Sequence, residues 1–218
     1  KSPSIFLANE FFDAIPIKQF LKSRNDWFER FVYLSNNKKA KFINKKIDIK
    51  KIEKKINFKI SNNQTFIEYS EQGLDYLKDI SRIIKRNHGG LLLIDYGYTN
   101  KKMKNTLQAI SKHKFANILD DIGNVDITHN INFNLFKEFT KQISGLKSDL
   151  TTQKKFLLKM GIKERAEIIS KNQNFSQKAD MYYRLKRLID EKQMGNLFKV
   201  MLIKNQKSRF NASKKARR

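Results

Sequence analysis

With 218 residues, 39% hydrophobic content, 17 Phe and 7 Tyr, the chain can bury a core and is too apolar to be a disordered basic tail. The absence of Cys excludes disulfides, thiolate metal sites and a cysteine nucleophile; three His leave little for a zinc centre, so no metal is expected. No apolar run approaches the roughly 20 residues of a bilayer-spanning helix, so membrane insertion is not expected.

The formal charge of +25 would suit nucleic acid or an anionic membrane surface. Yet 36 of the 46 basic residues are Lys, spread along the chain, and Arg, the better bidentate reader of phosphate, is scarce. Solvated lysine faces are the stronger reading, and nucleic acid is not the expected partner.

The first residue is Lys1, and the chain runs almost at once into an apolar segment, which suggests that an N-terminal portion is missing. Residues 5 to 9 read as a strand buried on both faces, ending at Asn9 and Glu10. From Ile17 to Leu34 two short stretches around Arg24-Asn25-Asp26 read as a hairpin. Residues 38 to 59 carry ten Lys against two acids, interleaved with Ile47, Ile49, Ile52, Ile56 and Phe58, so strand or helix character persists beneath a solvated charge run.

Leu74, Leu77, Ile80, Ile83 and Ile84 recur at helical spacing after a candidate N-cap, Ser70, and His88-Gly89-Gly90 stops that helix. Leu91 to Ile94 is a second buried strand, ending at Asp95-Tyr96-Gly97. A helix, a glycine stop and an apolar strand in that order make an α/β unit feeding a parallel sheet. Thr106 to Phe133 looks irregular; a helix follows through Phe136, Phe139 and Ile143. Thr152 to Met160, with Gly161 as stop, and Ser176 to Glu191 signal two more helices. Leu197 to Ile203 reads as a closing strand, and 204–218, with seven basic residues and no acid, as a frayed tail.

In an open α/β sheet, ligands bind beyond the carboxyl ends of the strands. If the two buried strands are neighbours, Glu10, Asp13, Asp95 and Tyr96 meet in one cleft, suited to a cation such as a sulfonium or a guanidinium. Spacing alone slightly favours a structural reading, in which Glu10 caps the following turn and Asp95 accepts backbone N–H bonds. No phosphate loop is present, because Gly89-Gly90 precedes its strand, and no serine sits in a nucleophile elbow. His113 and His129 have the residue type of a general base, although lone histidines are more often surface or structural residues. The aromatic stretch Trp27 to Tyr33 reads as core before stacking platform.

The strings Ala8-Asn9-Glu10-Phe11-Phe12-Asp13-Ala14-Ile15-Pro16 and Gly89-Gly90-Leu91-Leu92-Leu93-Ile94-Asp95-Tyr96-Gly97 resemble the MidA family, whose mitochondrial members are complex I assembly factors of the arginine-methyltransferase type. Thr106-Leu107-Gln108-Ala109, Asp126-Ile127-Thr128-His129 with Asn132-Phe133, Thr152-Gln153 with Phe156-Leu157, Gly161-Ile162 with Arg165, and Met194-Gly195 with Phe198-Lys199-Val200 continue the resemblance in order, from Ile5 to about Ile203. Members carry an N-terminal half with the glycine-rich cofactor loop, which this chain lacks.

The resemblance implies the C-terminal part of a class I methyltransferase (Rossmann-like) α/β sheet over 1–203, with an insertion at about 17–70. It implies S-adenosyl-L-methionine as cofactor and arginine of a complex I subunit as substrate. Glu10 is expected as substrate clamp or base, with Asp13 and Asn9 in the same pocket. Asn9, Asp95 and Tyr96 are expected at the cofactor, and Asp126, Thr128 and His129 along the substrate channel. The bacterial cytoplasm, or the mitochondrial matrix in a eukaryote, is the expected location, and a homodimer is compatible with the sequence. The rival readings are a noncatalytic basic module binding nucleic acid or protein, and a methyltransferase of another substrate.

Overall fold

The computed structural model describes residues 2–37, 39–112, 114–121 and 123–206. The central sheet has the order β1 (Ser4–Asn9), β6 (Gly89–Tyr98), β12 (Phe198–Asn205), β11 (Leu146–Thr152). Strands β1 and β6 run parallel, with Ser4 opposite Gly89 and Asn9 opposite Ile94, whereas β12 is antiparallel to both β6 and β11. The α/β sheet expected from the sequence is therefore present, and the antiparallel β12 makes it a mixed sheet. The short β10 (Ile131–Asn132) joins the far end of β6 in parallel.

Between β1 and β6 lies the crossover helix α2 (Glu71–Asn87), whose Ser70 hydroxyl accepts the Gly73 amide at 2.9 Å, supplying the expected N-cap. The helix ends at His88, and Gly89 then starts β6 with φ +104. A Cβ there would lie 1.9 Å from the Ser4 carbonyl oxygen, so the approach of β6 to the start of β1 requires glycine. Leu74, Leu77 and Ile84 of α2 are buried with Leu91 and Leu93 of β6, Met201 and Ile203 of β12, and Phe133, Phe136 and Phe139 of α3 (Phe133–Lys141) in one core. Each such side chain contributes about 1.5–3 kcal/mol on burial.

Residues between β1 and α2 build a second, antiparallel sheet of order β4 (Ala40–Ile47), β3 (Asp26–Leu34), β2 (Lys18–Ser23), β5 (Phe66–Tyr69), with α1 (Ile49–Ile56) after β4. The predicted hairpin is β2–β3, turning at Arg24, whose φ is 52. Phe20, Trp27 and Ile67 carry this sheet into the same core. In the lysine-rich stretch the described lysines are exposed, while Ile47, Ile49, Ile52, Ile56 and Phe58 are half-buried against that core.

The remaining helices lie between β11 and β12: α4 (Gln153–Lys159), α5 (Ile162–Ser170), α6 (Phe175–Ile189) and α7 (Met194–Leu197). Thr152 caps α4, and Gly161, in the left-handed conformation, both stops α4 and opens α5. The start of the expected tail belongs to β12, which runs to Asn205; residues 207–218 lie outside the described residues.

Three expectations need correction. Strand β1 is not buried on both faces: Ile5 is 67% and Leu7 70% exposed. Phe6 and Ala8 lie on the face that packs against α2, beside Leu91 and Leu93, whereas Ile5 and Leu7 lie on the other face. Strand β6 does not end at Asp95; it runs on to Tyr98, prolonged by its pairing with β10 and β12. The segment 106–133 is not irregular, since β8 (Lys114–Ala116), β7 (Gln108–Ser111) and β9 (Asp126–Thr128) form a small antiparallel sheet.

Candidate active site at the carboxyl ends of the parallel strands

The Glu10 amide donates to the Ile94 carbonyl at 3.0 Å, continuing the β1–β6 ladder by one residue, and the chain then leaves the sheet. Glu10 takes a φ of 47, a left-handed conformation uncommon for a residue with a Cβ, and its side chain is exposed. The Asn9 amide group donates to the Glu10 carboxylate at 3.4 Å.

Asp95 holds the loop that follows. It is 0% exposed; its Oδ2 accepts the amides of Phe12 at 3.0 Å and Asp13 at 3.3 Å, and its Oδ1 accepts the Tyr96 amide at 2.9 Å. The Asp95 oxygens are turned onto backbone, the structural alternative that its position after the apolar run also allowed. Burial, then the neighbouring Asp13 carboxylate, pushes Asp95 up to about 7, against the three N–H donors.

Asp13 is buried, and its Oδ1 has no hydrogen-bond partner among the described residues. Burial raises its pKa first, and the charges of Glu10 and Asp126 raise it further. Four carboxyl groups, Glu10, Asp13, Asp95 and Asp126, are thus electrostatically linked, with the outer two exposed. Tyr96 is half-buried, its ring 4.1 Å from that of Phe198, and burial together with Glu10 pushes its phenol up to about 12.

Asp126 and His129 come up against Asp13, the His129 amide donating to the Asp13 carbonyl at 3.1 Å. The imidazole is buried, its Nε2 meets no partner among the described residues, and burial lowers its pKa, opposed by the Glu68 charge and nearby carbonyls. Thr128 is half-buried, and its hydroxyl accepts from Gln108 at 3.2 Å, tying β9 to β7. The other histidine considered as a base, His113, lies outside the described residues. Among the described residues, no group of three or more His, Asp or Glu is arranged to hold a metal ion.

Reading the residues did not single out Glu68, a buried acid on β5 that accepts from Gln19 and Thr106. The available signal was an acid between Ile67 and Tyr69 in an apolar strand, directly before a helix cap.

A family model described as "Putative S-adenosyl-L-methionine-dependent methyltransferase" matches residues 1–152. The mitochondrial protein arginine methyltransferase NDUFAF7 of Danio rerio is 28% identical over 212 residues, covering 93% of this chain and 47% of the relative. The Homo sapiens protein of that name is 25% identical over 214 residues, covering 91% and 44%. The chain therefore spans about half the length of these curated relatives. A Burkholderia thailandensis crystal structure with S-adenosyl-homocysteine bound superposes with a TM-score of 0.75 at 20% identity, over 94% of this chain and 54% of that one, and so shares the fold. With more than half of its length matched by the family model, this chain belongs to that family of S-adenosyl-L-methionine-dependent methyltransferases.

Proposed function

We propose that this chain carries the substrate side of a protein-arginine methyltransferase acting on a subunit of respiratory complex I. The single observation that carries this reading is the exposed Glu10 carboxylate in left-handed backbone, beside buried Asp13 with a free oxygen, at the carboxyl ends of two parallel strands. The names of the relatives support arginine as the acceptor.

A guanidinium is protonated at any ordinary pH and its lone pairs are delocalised, so an acceptor arginine must be oriented and must lose a proton. Glu10 accepts N–H bonds from the guanidinium and orients one ω-nitrogen. Asp13 Oδ1 accepts the proton that this nitrogen releases; a carboxylate whose pKa is raised by burial and like charge is a better base than an ordinary one. Asp126, exposed on the far side of Asp13, extends the negative field toward an incoming basic side chain.

S-adenosylmethionine, when bound, supplies an electrophilic methyl group on a sulfonium. The residues fit such a cation: exposed Asn9 and half-buried Tyr96 lie on the face of the sheet left open beside Ile5 and Leu7, next to the Glu10 charge. The N-terminal half implied by the resemblance would complete the cofactor site over that face. Residence in the compartment that houses complex I, the mitochondrial matrix or the bacterial cytoplasm, goes with this reading.

Calorimetric titration of S-adenosylhomocysteine into the intact gene product and into the 218-residue chain tests it. Binding by the longer protein alone is the expected result; binding by neither overturns the reading.

A further inference from the structure

Glu68 is 4% exposed, yet among the described residues every group that donates to it is neutral: Gln19 Nε2 at 2.6 Å, the Thr106 amide at 3.0 and 3.1 Å to its two oxygens, and the Thr106 hydroxyl. A buried carboxylate is costly unless its hydrogen bonds are made, so its retention here goes with a specific arrangement of its donors. Those donors come from two places far apart in the chain. Gln19 lies on β2, where its Oε1 accepts from Arg30 at 3.0 Å and its amide group also donates to Asn105 at 2.8 Å. Thr106 lies in the loop after β6. Its hydroxyl in turn accepts the Asn130 amide at 2.9 Å.

Asn130 is the residue after His129, whose amide donates to the Asp13 carbonyl. Ile131 and Asn132 then pair with the end of β6. A continuous line of hydrogen bonds therefore runs from the second sheet, through Glu68 and Thr106, to the segment that flanks the carboxylates.

We propose that Glu68 is a positioning residue of the candidate site, acting through Thr106 to hold residues 129–130 against the Asp13 loop. The inference rests on the proposed function for its catalytic consequence, but its structural part stands apart from it. The second sheet is thus a support for the site, and the loop after β6 is the joint through which it acts.

The test joins amide hydrogen exchange to kinetics on the intact gene product. In the wild type the Asn130 and His129 amides are expected to exchange slowly; exchange of both at exposed-loop rates overturns the proposal with no variant needed. Thr106→Val removes the hydroxyl that receives the Asn130 amide and should bring both amides to exposed-loop rates, while Thr106→Ser restores protection. Unchanged protection in Thr106→Val overturns the proposal. With S-adenosylmethionine and an arginine-containing protein substrate, Thr106→Val and Glu68→Gln should lose up to about 100-fold in kcat at unchanged KM for the cofactor, with Thr106→Ser near wild type. Unchanged kcat also overturns it. A wild type that protects these amides but transfers no methyl group overturns the function and leaves the positioning intact.

Discussion

The Asp13 amide donates to the Asp95 carboxylate at 3.3 Å across 82 residues of sequence, so the acid that ends one apolar run folds the loop that follows the other. The same contact brings two buried carboxyl groups together, and the Asp13 charge adds to burial in keeping Asp95 protonated.

The folded pKa of Asp95, about 7, lies above its ordinary 3.8, so the folded state holds this proton more tightly than the unfolded one. Its contribution to stability is full below the ordinary value and is lost as pH rises through the folded value. Relative to Asp95→Asn, the wild type should therefore lose unfolding free energy between roughly pH 4 and pH 7. At low pH, where this penalty is absent, the variant should be less stable by about 1–3 kcal/mol, because the Tyr96 amide loses its acceptor. Urea unfolding of both proteins across that range checks the sign; a constant difference would reject it.

Glu10 adopts a φ of 47 and is exposed. Glu10→Gly removes a Cβ from left-handed backbone, worth about 1–2 kcal/mol, against a greater entropy loss for glycine of about 0.5–1 kcal/mol. The thermal midpoint should thus hold or rise while methyl transfer is lost. A variant that keeps wild-type turnover would remove Glu10 from the chemistry.

At Gly97, an added Cβ would lie 2.4 Å from the Ile131 carbonyl oxygen and 2.5 Å from the Phe133 ring. Gly97→Ala should destabilise by about 1–3 kcal/mol or more, as overpacking against backbone does. Chemical denaturation measures it, and a near-neutral effect would show that β10 can move away from β6.

Ser70→Ala deletes the side-chain acceptor for the Gly73 amide at a buried helix start. A loss of about 1 kcal/mol is expected, read as a lowered denaturation midpoint at unchanged slope. Retention of the midpoint would mean that another group takes the amide.

The parts legible in the sequence were those whose cause is local. Ser70 before a helical stripe, Gly89 after it and the apolar run Leu91 to Ile94 are short-range patterns, and the helix and strand formed there. The Lys-rich stretch also read correctly as solvated, because the isoleucines between its charges set which side turns inward. By contrast, the small sheet in 106–133 has strands of three or four residues, too short to leave an alternating pattern. The extension of β6 through Tyr98 arises from its partners β10 and β12, not from its own residues.

What the sequence determined by itself was the capped helix α2 with the apolar strand after it, the acids placed just beyond two apolar runs, and the motifs that carry the family resemblance. Only the tertiary structure decided what each acid does. The parallel pairing of β1 with β6 set Asp95 against backbone amides, left Glu10 exposed, and placed Asp13 between them with a free oxygen. The tertiary fold also brought Glu68, Thr106 and Asn130 into one line. A carboxylate's role depends on its burial and on the donors around it, and both come from segments far apart in the chain.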